Sequence, residues 1–160
     1  MKDKILEKLN SRFRTSVENV NEFRGELTIG IKKENIVDVC RFLRDDEDLK
    51  VDSLRDVCGA ERYKPGDRFE VIYNLYSLGN KFRFRLKVSL SENSMHVPTV
   101  SGVWPAADYG EREAFDMYGI IFDGHPDLRR IYMPEEFEYH PLRKDFPLMG
   151  IPGSLPLPRK

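Results

Sequence analysis

Two histidines with carboxylates close by in the sequence are the residues of this chain whose types most invite metal or acid–base chemistry. His125 and His140, together with Asp123, Asp127 and Glu138, offer the donor atoms that bind zinc or iron. Their spacing argues against a metal: the histidines stand fifteen residues apart in irregular chain, each is followed by proline, and no short paired-ligand motif is present. Glu111 is the second candidate. A helix predicted over residues 105–118 sets Ala107, Ala114, Phe115 and Tyr118 on one stripe, and Glu111 falls inside it. A carboxylate on an apolar face must find a cation or a donor, or its pKa rises. An internal salt bridge to an arginine, an ion pair across an interface and an active-site acid all meet that requirement. Arg112 and Asp116 lie four residues apart on the opposite side, the arrangement of a helix-surface ion pair that contributes only a few tenths of a kcal/mol. There is no glycine-rich phosphate loop, no GxSxG and no CxxC, and the two cysteines, Cys40 and Cys58, cannot hold an iron–sulfur cluster. Nothing in the sequence carries redox chemistry by itself.

The elements that position these residues follow from hydrophobic periodicity. Residues 2–14 place Ile5, Leu6, Leu9 and Phe13 at helical spacing, and residues 25–31 alternate Leu27, Ile29 and Ile31 with polar or small neighbours, the period of a half-buried strand. Residues 33–43 return to helical spacing through Ile36, Val39, Cys40 and Leu43. A weaker strand is expected over 49–57 and a loop over 59–67. The clearest local signal is a β-hairpin: Phe69, Val71, Tyr73 and Leu75 share one strand face, as do Phe82, Phe84, Leu86, Val88 and Leu90. Gly79-Asn80 suits a two-residue type II′ turn between them. The second strand carries Lys81, Arg83, Arg85 and Lys87 on its other face, which reads either as a solvated outer face or as a docking face for an acidic partner.

Gly119 is the natural stop of the helix that carries Glu111. Beyond it both periods vanish, and seven of the ten prolines lie between Pro126 and Pro158. The expected architecture is therefore α+β: a mixed or antiparallel sheet with a hairpin, packed by two to three helices, in a domain over residues 1–119, followed by an extended, irregular, proline-rich arm over 120–160. That arm holds Ile131, Tyr132, Met133, Phe137, Tyr139, Leu142, Phe146, Leu148 and Met149, too much apolar surface for a free linker. An arm laid on a partner protein is the simplest expectation.

Length and composition agree with one domain and a tail, since 160 residues suffice for one hydrophobic core. A net charge of −1 lacks the footprint of a dedicated nucleic-acid binder. An RNA-binding hairpin is disfavoured further, because Phe82 and Phe84 point away from Arg83 and Arg85. The first residues are too charged for a signal peptide and no window approaches a membrane span, so a soluble chain with reduced, mostly buried cysteines is expected.

The block VWPAADYGEREAFDMYGIIFDGHPDLRRIYMPEEFEYHPLRKDFPLMG, with RFEVIYNLYSL and FRFRLKVSL before it, closely resembles the C-terminal signature of the C-type subunit of proton-pumping NADH:quinone oxidoreductase, the 30 kDa subunit family of respiratory complex I. The match covers residues 104–150. Two departures are visible, Tyr109 where the family has tryptophan and Tyr139 where it has glycine. The resemblance implies a cofactor-free member of the peripheral arm of the complex, with FMN and iron–sulfur clusters in partner subunits. It implies an arm packed along the D-type subunit, with the B-type and I-type subunits as further neighbours, and a place on the cytoplasmic side of the cell inner membrane held only through the complex. On that view Glu111, Arg112, Glu113 and Asp116 on the helix, and His125, Arg129, Arg130, His140, Arg143 and Asp145 in the tail, are structural or interface residues with no catalytic role. The equivalent subunit of an F420H2 dehydrogenase or a membrane-bound hydrogenase shares part of the signature. From a different class, a free-standing enzyme would use Glu111 or His140 as acid or base.

Overall fold

A computed structural model describes residues 1–62 and 66–153. The chain runs α1 (Lys2–Phe13), β1 (Val17–Phe23), β2 (Glu26–Ile31), a 3-10 turn (Lys33–Asn35), α2 (Ile36–Asp45), β3 (Ser53–Glu61), β4 (Phe69–Ser77), β5 (Phe82–Leu90), β6 (His96–Pro98), α3 (Ala107–Tyr118) and β7 (Ile121–Asp123). Five strands form a mixed sheet in the order β1-β2-β5-β4-β3, in which only β2 and β5 pair in parallel. The fold is thus α+β, with a hairpin and, among the described residues, three α-helices.

The sequence dictates which face of the sheet is covered. The inward alternates Leu27, Ile29 and Ile31 of β2, Val71 and Tyr73 of β4, and Leu86 and Val88 of β5 are fully buried in one cluster with Ile5 and Leu9 of α1 and Ile36, Val39, Cys40 and Leu43 of α2. Each such aliphatic side chain contributes about 1.5–3 kcal/mol by leaving water. Helix α3 lies against the edge strand β3 at a distance only glycine allows: a Cβ on Gly110 would stand 2.9 Å from the Val57 carbonyl oxygen.

Four local expectations differ from the structure. Strand β1 has no counterpart in the periodicity, because VENVNEF pairs with β2 while burying only Val17, and that in part, and so carries no alternation to detect. Strand β3 begins at Ser53 and continues through Glu61, four residues later than expected. The buried Leu49 and Val51 sit in the preceding loop, which Asp46 shapes by accepting the amides of Asp48 and Leu49. The hairpin turn is a four-residue connection, 78–81, closed by the Lys81 amide on the Leu78 carbonyl. Its left-handed residue is Lys81 (φ 50°) and not Gly79, so it is not type II′. Finally, the chain after Gly119 is not irregular at once: β7 pairs in parallel with β6, and Phe122 of β7 and the preceding Ile120 enter the core.

Candidate functional site

Helix α3 ends with a problem that every helix has. Its last four carbonyls lack intrahelical partners, and its last turn contains no basic residue to complement the dipole. The tail solves it. Gly119, at φ 76°, returns its own amide to the Phe115 carbonyl at 2.8 Å. The Asp116 carbonyl accepts from His140 Nδ1 (3.0 Å) and Arg130 Nη1 (3.2 Å), the Met117 carbonyl from the Leu142 amide (3.2 Å), and the Tyr118 carbonyl from Arg143 Nε (2.7 Å). A tail up to 25 residues further along the chain is therefore the C-cap of α3. Gly119 is needed twice here, since a Cβ would also stand 2.5 Å from both His140 Nε2 and Arg143 Nη2.

The Asp116 side chain is the second half of this anchor. It is fully buried, accepts Arg130 Nη1 at 2.6 Å, and gathers on Oδ2 the amides of Ile131 (3.1 Å), Tyr132 (2.8 Å) and Met133 (3.0 Å). Burial alone would raise its pKa, but the amides of Met133 and Tyr132, the Arg130 guanidinium and the Ile131 amide outweigh it and hold the carboxyl below its ordinary range. His140 moves down, first through burial and then through the charges of Arg143 and Arg130, with the bond to the Asp116 carbonyl opposing them. Arg143 also lies over the Phe69 ring (5.3 Å) and contacts Met95 Sδ (3.4 Å).

The surface ion pair expected between Arg112 and Asp116 does not form. Both residues are buried; Arg112 Nε donates to the Arg129 carbonyl (3.2 Å) and its guanidinium lies over the Tyr109 ring, while Asp116 belongs to Arg130. Periodicity placed them outside the apolar stripe correctly, but the tail covers that side of the helix.

Nor does Glu111 meet an arginine. It is fully buried, accepts the Val100 amide on Oε1 (2.8 Å) and the Thr99 hydroxyl on Oε2, and has His125 Nε2 3.8 Å away. Burial pushes its pKa up to about 7 with help from Asp108, against the two donors. The side chain of His125 is fully buried too; its Nδ1 accepts the Asp127 amide (3.1 Å), and its Nε2 faces the Asp108 carbonyl oxygen (3.3 Å) with Asp108 Oδ1 3.0 Å away.

The structure brings Asp116, Arg130, His140 and Arg143 together at the end of α3 and Glu111 and His125 together at its middle. It does not bring Glu113 to either group, for Glu113 is exposed. Arg129 is also exposed and pairs with Asp127 at 3.0 Å. Asp145 joins a third cluster around Arg68, a residue that no motif or period singles out: Arg68 binds Glu61 (2.6 Å), Glu92 (2.5 Å) and Asp145 (2.8 Å), and the Lys144 amide also donates to Glu61. Thr99 was equally invisible. Between these anchors Phe137 is buried against Tyr139 and Phe146, whereas Leu148 and Met149 are 99% and 94% exposed. Among the described residues no group of three His, Cys, Asp or Glu side chains gathers closely enough to hold a metal, and no helix is long and apolar enough to cross a membrane.

An α+β domain whose charged tail is built into its own helix, while its end offers apolar side chains to the outside, has the build of a component of a larger assembly. Comparison with known proteins identifies which kind. The chain belongs to the family described as the respiratory-chain NADH dehydrogenase 30 Kd subunit, whose model matches residues 29–152. It is 49% identical to the C-type subunit of NADH-quinone oxidoreductase from Roseiflexus sp. (strain RS-1), over 90% of this chain and 83% of that one. It is 52% identical to the second such C-type subunit of Rhizobium meliloti (strain 1021), over 89% and 78%. Among solved structures, a trypsin-resistant fragment (1-134) of Nqo5 superposes with a TM-score of 0.66 at 28% identity, covering 79% of this chain and 98% of the fragment. A chain of the membrane-bound sulfane sulfur reductase, an archaeal respiratory membrane complex, superposes with a TM-score of 0.76 over 92% and 86%. At 21% identity that second likeness shows the fold alone.

Proposed function

We propose that this chain is a cofactor-free structural subunit of the peripheral arm of NADH:quinone oxidoreductase, and that its tail is a rigid docking element. In the complex, electrons pass from NADH through FMN and iron–sulfur clusters carried by other subunits to quinone, coupled to proton translocation. This chain's part is orientation: the α3 anchor fixes residues 128–146, and the segment beyond lies against the D-type subunit, with the B-type and I-type subunits as further neighbours. The whole is held at the cytoplasmic side of the inner membrane through the complex alone. Glu111, Arg112, Asp116, His125, Arg130, His140 and Arg143 are scaffold residues on this reading; Glu113, exposed and outside both groups, is open to an ion pair with a neighbour, whereas Arg129 and Asp145 at the surface are already paired with Asp127 and Arg68.

The observation that carries the proposal is the contrast within the tail. Four residues after the pair Arg68–Asp145 the chain presents Met149, and with Leu148 it leaves two large apolar side chains almost wholly in water next to a fixed anchor. Large apolar side chains held in water beside an anchored backbone mark an interface, because part of the ordering that docking requires has been met inside the chain. The double variant Leu148→Asp/Met149→Asp touches no internal contact of the anchor. It is expected to leave the isolated chain folded and to lower its recovery in the purified complex by about tenfold or more. Wild-type recovery would refute the docking role.

A further inference from the structure

The helices cover one face of the five-stranded sheet, and among the described residues no helix covers the other. That open face carries the basic stripe of β5, and its charges do not balance. Glu26 of β2 lies between two arginines, hydrogen-bonded to Arg85 and 3.4 Å from Arg83. Glu70 of β4 likewise lies between Arg62 and Lys87, 2.9 Å from each. One carboxylate between two cations leaves positive charge over at both places, in a chain whose net charge is −1.

A fifth cation makes the excess directional. The register of β3 slips between Leu54 and Asp56, and this bulge brings Arg55 to the open face, over the ring of Tyr76 at 5.8 Å. Among the described residues no carboxylate pairs with Arg55. Between Arg55 and Arg83 the surface sinks into a hollow of about 460 Å³, with Asn74, Tyr76 and Glu26 in its lining. Arg83 is 78% exposed at the rim.

We propose that this hollow docks a carboxylate-bearing segment of a neighbouring subunit, with Arg55 and Arg83 taking Asp or Glu side chains and Asn74 and Tyr76 receiving the backbone that carries them. Guanidinium groups suit the task because their planar forks bind carboxylates in pairs and stay charged. Arginine and tyrosine around a recess are also the composition of a protein interface core, where lysine is depleted. A planar lipid surface would reach the rim and not the floor. The proposal rests on the chain being part of a larger complex, but not on where its tail docks.

The test is made in the intact purified complex, with the photo-crosslinking residue p-benzoylphenylalanine replacing Tyr76, an aromatic exchange that keeps a ring beneath Arg55. The expected product joins position 76 to an Asp- or Glu-rich segment of another subunit. Arg55→Gln/Arg83→Gln should cut its yield about tenfold, while Arg55→Lys/Arg83→Lys retains most of it. Absence of an inter-subunit product, a product with a segment lacking acidic residues, or a product with lipid or nucleotide would overturn the proposal. A complex that purifies intact without this chain would overturn the assembly reading itself, a result visible before any crosslinking.

Discussion

Removing the Asp116 carboxylate should release the tail while leaving the sheet in place. In Asp116→Ala the Arg130 guanidinium, at 2.6 Å in the native chain, loses its buried counter-ion, and the amides of Ile131, Tyr132 and Met133 lose their acceptor. Breaking a buried charge pair by deleting one partner costs about 3–5 kcal/mol. The three amides belong to residues that are partly or fully exposed, so water takes them over and they add little. The low end, about 3 kcal/mol, corresponds to roughly a hundredfold shift between docked and released tail. Helix α3 keeps its packing on β3, so the loss is local and not global. Hydrogen exchange followed by mass spectrometry measures it: peptides covering 128–146 should exchange roughly a hundredfold faster, with those of β4 and β5 little changed. The pH dependence fixes the cause. Asp116 titrates below its ordinary 3.8, so its contribution is complete above that value and is lost as pH falls through the folded pKa. Wild type and variant should therefore differ fully at neutral pH and converge in acid below 3.8. Unchanged exchange in 128–146, equal loosening of β4 and β5, or a difference that survives full protonation would refute the reasoning.

Three more outcomes are expected. Glu111 has a folded pKa of about 7 against an ordinary 4.5, so the folded state binds the extra proton and stability falls as pH rises between those values. Glu111→Gln should keep the Val100 and Thr99 contacts and, by thermal unfolding, gain on the order of 1–3 kcal/mol over wild type at pH 8 but little at pH 4.5; a loss at pH 8 would contradict the burial argument. Gly119→Ala forces a Cβ onto φ 76° and onto His140 and Arg143, and should cost about 1–3 kcal/mol in denaturant titration, against a few tenths or less if the tail yields freely. Burial, the bond to Asp56 and nearby charge push the Cys58 thiol up to about 12, and burial raises that of Cys40, so iodoacetamide should label both only slowly until the chain unfolds; rapid native labelling of Cys58 would count against its packing.

Local pattern was enough to reveal a good part of this protein before any folding was considered. The three helices, the inward faces of β2, β4 and β5, the stop at Gly119 and the family block over 104–150 were legible because a period of 3.6 or 2 reports which side of an element is apolar. The burial of Glu111 was legible in the same way. Strand β1 was not, because beyond the partly buried Val17 it has no buried face to alternate, and neither was the turn at 78–81, where Lys81 and not Gly79 takes the left-handed backbone. The partners of the polar groups emerge only in the folded chain. Asp116 is answered by residues fourteen to seventeen positions on, Arg143 by a carbonyl 25 positions back, and Arg68 by Asp145 across 77. A hydrogen bond or ion pair is short-ranged and indifferent to sequence separation, so no spacing rule reveals it until the chain has folded. That is why Arg112 and Asp116, read as a solvated pair from their spacing, proved to be buried beneath the tail they help to hold.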